Sequence, residues 1–316
     1  MMSNVLKVAV LLFAGAAPAA QVALVPNQGD GTLSVLDVDS ATVLRTLPAT
    51  GKLGEKIQAV AADRRGKQAF VADAAGNVLL RVDLRSGAVL ERIEVGKGPE
   101  GASMAPSGNL IAVCIEDDNA VSLVDPAGKA PMRKIAIQGS NPEHCVFSPD
   151  ASLLMTSNEN SNDVDLIDVR QGRSVARIAT AGHPRGIAWS TDGKLAYVAQ
   201  ETAGGVDVID VPARKVLQAI KTGLRPAGAT MSRDGKKLFV TNGGDGTVSV
   251  IDTASRSAIA TITVGKRPWN MALTRDGKRL LVANGRSNSV SIIDTASLQG
   301  VAEVRVGSLP WGVAVP

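Results

Sequence analysis

Aromatic side chains are scarce in this chain: four Phe, three Trp and one Tyr among 316 residues. That excludes a core of stacked rings, so Val, Ile, Leu and Ala must fill the interior that a 45% hydrophobic content supports. Cysteine and histidine are as rare, with two of each. Two cysteines exclude a disulfide scaffold and a thiolate-rich zinc site, and there is no C-x-x-C-H to attach haem covalently. No run approaches the roughly 18 apolar residues of a membrane-spanning helix. No Lys/Arg block marks a nucleic-acid arm, and the formal net charge is only +4. Neither a G-x-S-x-G elbow nor a phosphate-binding glycine loop appears. Glycine, by contrast, is plentiful at 32 residues, which points to many turns.

Residues 1–20 read as an export signal. Lys7 gives a weakly basic start, Val8 to Phe13 form a short apolar run, and Ala17-Pro18-Ala19 fits the small-x-small cleavage rule. The expectation is a periplasmic or secreted protein whose mature part, residues 21–316, is a single domain. An oxidising compartment would let Cys114 and Cys145 pair, but both lie in apolar strand contexts where free thiols pack well. Both outcomes stay open.

The rest of the chain is one repeat. Prolines recur at Pro99, Pro142, Pro184, Pro226, Pro268 and Pro310, at intervals of 43, 42, 42, 42 and 42 residues. An Asp ends a β-rich run at Asp37, Asp83, Asp125, Asp168, Asp210, Asp252 and Asp294, at intervals of 46, 42, 43, 42, 42 and 42. Within one period, Pro268 to Gly307, four short strands are separated by turn signals such as Arg275-Asp276-Gly277. Four antiparallel strands in about 42 residues make one propeller blade. Six complete units run from Ile57 to Pro310. The C-terminal Trp311 to Pro316 supplies a first strand, and Val22 to Leu47 supplies strands two to four. The predicted fold is therefore an all-β, seven-bladed propeller of four-stranded blades, closed by joining the N-terminal strands to the C-terminal one.

Leu238-Phe239-Val240-Thr241-Asn242, Leu280-Leu281-Val282-Ala283-Asn284 and Ala196-Tyr197-Val198-Ala199-Gln200 resemble the Tyr-Val-Thr-Asn motif of the YVTN β-propeller repeat family. Val248 to Ala254 and Val264-Gly265-Lys266-Arg267-Pro268 are similar to the rest of that repeat. Departures from the motif's Asn are read at Asp73, Glu116 and Gln200. With Pro310-Trp311-Gly312-Val313 at the end, the chain particularly resembles exported propellers associated with PQQ-dependent alcohol catabolism, which have no assigned reaction. More distant resemblances are to the haem-binding propeller of periplasmic nitrite reductases, to a lactonase group, and to an exported propeller with affinity for single-stranded DNA. Fold does not by itself specify chemistry.

Propeller ligands sit at the mouth of the central channel, and aligning the repeats predicts which residues face it. After each Pro, or after Ile57 in the first complete unit, come Gln58, Glu100, Glu143, Arg185, Ala227, Trp269 and Trp311. The next position is Ala59, Gly101, His144, Gly186, Gly228, Asn270 and Gly312, small except at His144 and Asn270. The other histidine, His183, precedes Pro184 on the same face, so His144 and His183 form a candidate metal or haem pair. Plain solvated loop histidines are the competing reading. Charges also segregate: Glu100, Glu116, Asp117, Asp118, Glu143, Glu159 and Glu201 belong to neighbouring repeats, and Arg185, Arg225, Lys266, Arg267 and Arg286 to the repeats that follow.

The candidate ligand-binding set is Glu100, Glu143, His144, Arg185, Arg225, Arg267, Trp269, Asn270 and Trp311. No catalytic set is singled out, and no cofactor is specified. The reading adopted is a non-catalytic propeller that binds a small ligand at the mouth or docks a protein, accessory to periplasmic PQQ-dependent alcohol oxidation with a dehydrogenase as partner. The competing reading is a metal- or haem-binding redox protein, or a lactonase-like hydrolase. Single-stranded DNA binding ranks third, because the acidic repeats oppose it. The export reading predicts that protein recovered from its own host lacks residues 1–19, or begins within one residue of that cut, which intact mass spectrometry checks.

Overall fold

The computed structural model describes residues 21–316, so the segment read as an export signal lies outside the described residues. Seven antiparallel sheets follow one another round a ring, six with four strands in sequence order. We number the blades from the N-terminus. The first strands of blades 2 to 7 are Ile57–Ala62, Pro99–Met104, Pro142–Phe147, Pro184–Trp189, Pro226–Met231 and Pro268–Leu273. Blade 1 holds Val22–Asn27, Thr32–Asp37 and Thr42–Leu47. Its fourth member is the C-terminus, bridged at Leu24 to Ala314 and at Asn27 to Pro310. Leu24 N donates to Ala314 O at 2.8 Å, and Ala314 N returns to Leu24 O at 2.9 Å. The predicted closure is present.

Seven apolar clusters fill the gaps between blades, one per gap. Leu24, Leu33, Val71 and Leu80 join blades 1 and 2, for example, and Val25, Leu36, Leu281 and Ile292 join blades 7 and 1. Second and third strands lie between two such clusters and are buried on both faces, whereas the outermost strands are largely exposed. Aliphatic residues suffice because each gap is thin. Cys114 and Cys145 are buried as free thiols in the cluster between blades 3 and 4.

Both repeated polar marks prove architectural. Each strand-ending Asp accepts backbone N–H groups of the turn after it, as Asp252 does from Ser255 and Asp294 from Ala296 and Ser297. The motif Asn works inside the sheet. Fully buried Asn242 donates from Nδ2 to Thr247 Oγ1 and Ser249 Oγ, both at 2.9 Å, and accepts from Gly223 N at 3.1 Å. Asn27 and Asn284 repeat the two Nδ2 donations, and Asn158 donates to Asp163 and Asp165 instead; Asn242 makes the full arrangement. It ties the second strand, the third strand and the inter-blade loop at one point.

One departure needs correction. Register pairs Pro99 with Ile115, just as it pairs Pro226 with Asn242. Ile115, not Glu116, therefore stands at the Asn position of blade 3, and Glu116 lies one residue further on, level with Glu159 and Glu201. Removing a buried side chain that makes three hydrogen bonds costs about 2–3 kcal/mol. Asn242→Ala is expected to lower the denaturation midpoint accordingly without changing the slope, as measured by urea titration.

Candidate functional site

Six of the seven blades deliver side chains to the mouth by the same local device. The residue before Pro takes a left-handed backbone conformation at Gly98, Asn141, His183, Arg225, Arg267 and Leu309. The first strand then bulges, shifting register between Pro184 and Ile187, Pro226 and Ala229, and Pro268 and Met271. A bulge leaves residues out of the ladder and re-aims them. The freed residues are those after Pro. The following position is small because the next blade's backbone lies there: a Cβ on Gly101 would come within 2.2 Å of Glu143 O, and one on Gly186 within 2.4 Å of Ala227 O.

The two exceptions line the space that their small counterparts leave. His144 and Asn270 border a channel cavity of about 140 Å³ together with Ala59, Gly101, Cys145 and Trp311. The His144 ring packs 5.6 Å from the Trp311 ring, tilted by 31°. Burial, with Arg185 nearby, pushes its pKa down to about 3, so the imidazole is neutral. Asn270 Nδ2 donates to Trp311 O at 3.4 Å. Trp311 is buried between these partners, so a ligand cannot be sandwiched on both of its faces.

Above this floor, two positions per blade face one another: the bulge residue after Pro and the residue after the motif Asn. Blade 3 supplies Glu100 and Glu116, blade 4 Glu143 and Glu159, and blade 5 Arg185 and Glu201. Blade 6 supplies Ala227 and Gly243, and blade 7 Trp269 and Gly285. The second member of each pair is absent from the sequence-based site, although the acidic residues among them stood out as charges. Reading the position after the Asn across the repeats would have found them.

Arg185 organises the acidic half. Its guanidinium bonds Glu143, lies 2.8 Å from Glu159 Oε1 and 3.0 Å from Glu201 Oε2, and so spans two blades. Burial alone would lower its pKa, and the carboxylates of Glu143, Glu159 and Glu201 more than offset that, raising it. Glu201 is 4% exposed and takes two further arginines, Arg225 at 2.6 Å and Arg267 at 3.0 Å. Burial would raise its pKa, but the three guanidinium groups hold it below the usual carboxylate range. Glu100 accepts a hydrogen bond from Gln58 Nε2 at 2.7 Å. Burial, then the facing carboxyl of Glu116, lifts its pKa to about 8. Glu143 is also raised, by burial first and by Glu159 and Glu100 in addition, against the pull of Arg185. Glu143 Oε2 and Gln58 Oε1, on side chains of buried residues, have no partner in the protein.

The structure gives the two histidines different surroundings. His183 Nε2 lies 3.3 Å from Glu159 and 3.8 Å from Glu201, and these three have metal-ligand spacing, within 4.8 Å of one another. His144 stands instead beside Glu143, at 3.8 Å, and Trp311. The charge at the His183 group is already met. Arg185 reaches both of its carboxylates, and Arg225 and Arg267 bond Glu201, so a dication there would press against three guanidinium groups. These residues fit a built-in arginine better than a metal.

The basic half is open by comparison. Ala227, Gly243 and Gly285 stand where blades 3 to 5 carry long charged side chains. A Cβ on Gly285 would sit 2.5 Å from the Trp269 indole, so glycine is what lets that ring lie down along the wall. Half-buried Trp269, exposed Arg225 and half-buried Arg267 border the recess.

A family model described as lactonase, 7-bladed beta-propeller, matches residues 171–310, and one described as YNCE-like beta-propeller matches residues 103–236. No curated protein matches the chain. Among solved structures, the chain is similar to hydrazine synthase of Kuenenia stuttgartiensis, at 23% identity and a TM-score of 0.71, over 80% of this chain and 87% of that one. It is also similar to a functionally unknown protein of Desulfotomaculum acetoxidans DSM 771, at 17% identity and a TM-score of 0.80, over 94% and 99% of the two chains. A third likeness is to the dihydro-heme d1 dehydrogenase NirN in complex with DHE, at 18% identity and a TM-score of 0.68, over 95% and 76%. At these identities the likeness establishes the propeller fold.

The mouth carries a pH signature. A carboxyl whose folded pKa exceeds its unfolded value keeps its proton longer in the folded protein, so stability falls as pH rises between the two. For Glu100 that window runs from about 4.5 to about 8. Glu100→Gln should therefore melt progressively higher than the parent protein as pH rises through this window. Parallel slopes for the two proteins in thermal melts from pH 4.5 to 8.5 would disprove the assignment.

Proposed function

We propose that this chain is an exported propeller that binds a small polar ligand bearing an anionic group in the recess over blades 5 to 7. The observation that carries the reading is the one-sidedness of the paired mouth positions, Glu/Glu in blades 3 and 4 against Ala/Gly and Trp/Gly in blades 6 and 7. A ligand there meets Arg225 and Arg267 with its anionic end and the indole of Trp269 with its body. The resemblance to propellers of PQQ-dependent alcohol catabolism supports a periplasmic setting, where alcohol oxidation ends in carboxylic acids. A role accessory to that oxidation, with a dehydrogenase as partner, fits such a ligand.

One observation favours a second reading, lactone hydrolysis at the same mouth. The lactonase family model spans Arg185, Glu201, Arg225 and Arg267. Arginines can stabilise the oxyanion of an opening ring ester, and His183 beside Glu159 is placed to take a proton from water. Calorimetric titration of the mature protein with hydroxy acids and their lactones, with acid release followed by pH-stat, separates the readings. Binding of the acids that falls at least tenfold in Trp269→Ala and in Arg267→Gln, without acid release, supports the binding protein. Acid release that is lost in His183→Gln supports the hydrolase. Neither binding nor release from any member of the panel would overturn both.

A further inference from the structure

The loops of blades 6 and 7 enclose a cavity of about 530 Å³ lined by Arg225, Lys266, Arg267 and Arg286, with Gly243 to Gly246 along one side. Its charge is not balanced. Arg225 and Arg267 share one carboxylate, Glu201. Asp245, the one acidic residue in the lining, accepts a backbone hydrogen bond from Leu224 at 2.6 Å. Lys266 and Arg286 have no acidic partner among the described residues. Four cations against Glu201 and Asp245 leave a surplus of two positive charges, 4 − 2, around one concavity.

The basic lining is specific to these two blades. Its arginines at the position before Pro correspond to Gly98, Asn141 and His183 in blades 3 to 5 and to Leu309 in the closing strand. Gly243 stands where blades 3 to 5 place glutamates, and a Cβ there would come within 3.1 Å of the Arg267 guanidinium. Glycine thus removes a negative charge and lets Arg267 lie against the loop. Lys266 and Arg286 are tied together through their backbones, Arg286 N donating to Lys266 O at 3.1 Å, while both side chains are left exposed.

We propose that this cavity binds a phosphate group, free or on a small ester, and that the group forms the anionic end of the mouth ligand. Two surplus charges match a dianion, whereas a monocarboxylate would leave one of them unmet. Planar guanidinium forks suit the tetrahedral oxygens, and the flexible ammonium of Lys266 adds a point charge. The assignment rests on the mouth-binding reading for the rest of the ligand, but the phosphate contacts stand on the cavity alone.

The test is titration of the mature protein with inorganic phosphate, methyl phosphate, malonate and acetate, followed by calorimetry and phosphorus NMR at fixed ionic strength. Phosphate or methyl phosphate should bind at least tenfold tighter than acetate and tighter than malonate. Lys266→Gln and Arg286→Gln, which leave the Glu201 network intact, should each weaken phosphate at least tenfold. Trp269→Ala should leave inorganic phosphate unchanged, so failure of the mouth-binding reading would show in Trp269 alone and leave this site standing. Malonate or acetate binding as well as phosphate would overturn the assignment, as would phosphate binding that is indifferent to Lys266 and Arg286. Thermal melts of both variants matching the parent protein confirm that any loss is local.

Discussion

Crowding at the axis is the constraint from which the site follows. Seven first strands converge there, and the backbone of one blade occupies the place of the Cβ of the last, as Gly101 and Gly186 show. A first strand cannot stay regular under that crowding and also carry large residues. It bulges, and the residue after Pro is pushed out of the ladder toward the mouth. The backbone therefore creates one display position in each of blades 2 to 7 without reference to function. Only the residue placed in each one distinguishes a binding half from a filled half.

Because display positions are equivalent, differences between blades carry the information. Glu100 and Glu143 are carboxyls facing a second carboxyl, and both keep their protons to unusually high pH. The change to Arg185 in blade 5 inserts a cation among them and ionises their neighbour Glu201. Glu201 then anchors Arg225 and Arg267, which border the recess of blades 6 and 7. The acidic half is thus largely self-satisfied, and the basic half is held in place by one residue of the acidic half while its outer cations remain free. A partner for this mouth is expected on the side where the charges are unmet.

The period, the blade count, the closure and the small residues at the axis were all legible in the sequence, because each follows from a backbone requirement that recurs round the ring. Repetition turns a weak local signal into a strong one. The structural Asn was legible as a motif, but its misplacement by one residue in blade 3 came from reading polarity instead of register. Ile115 sits where an amide was expected, and only strand pairing reveals it. The facing of bulge and loop residues was hidden for a related reason. Glu143 and Glu159 are 16 residues apart in the chain and meet only because the first two strands of a blade are antiparallel neighbours.

The histidines show where sequence reasoning stops. Placing His144 and His183 on one face was a statement about backbone positions, and a candidate ligand pair required their side chains to converge as well. Arg185 gives the two rings different neighbours. Its long side chain crosses from blade 5 to Glu143 of blade 4, lies beside His144, and brings Glu159 and Glu201 together next to His183. A guanidinium in that place does the electrostatic work of a bound cation without a metal, and burial, aided by that guanidinium, holds His144 neutral against Trp311. No spacing in the sequence reports how far an arginine reaches. The same flexibility leaves Lys266 and Arg286 at the rim able to close on an anion, which makes the basic half the adaptable part of an otherwise rigid ring.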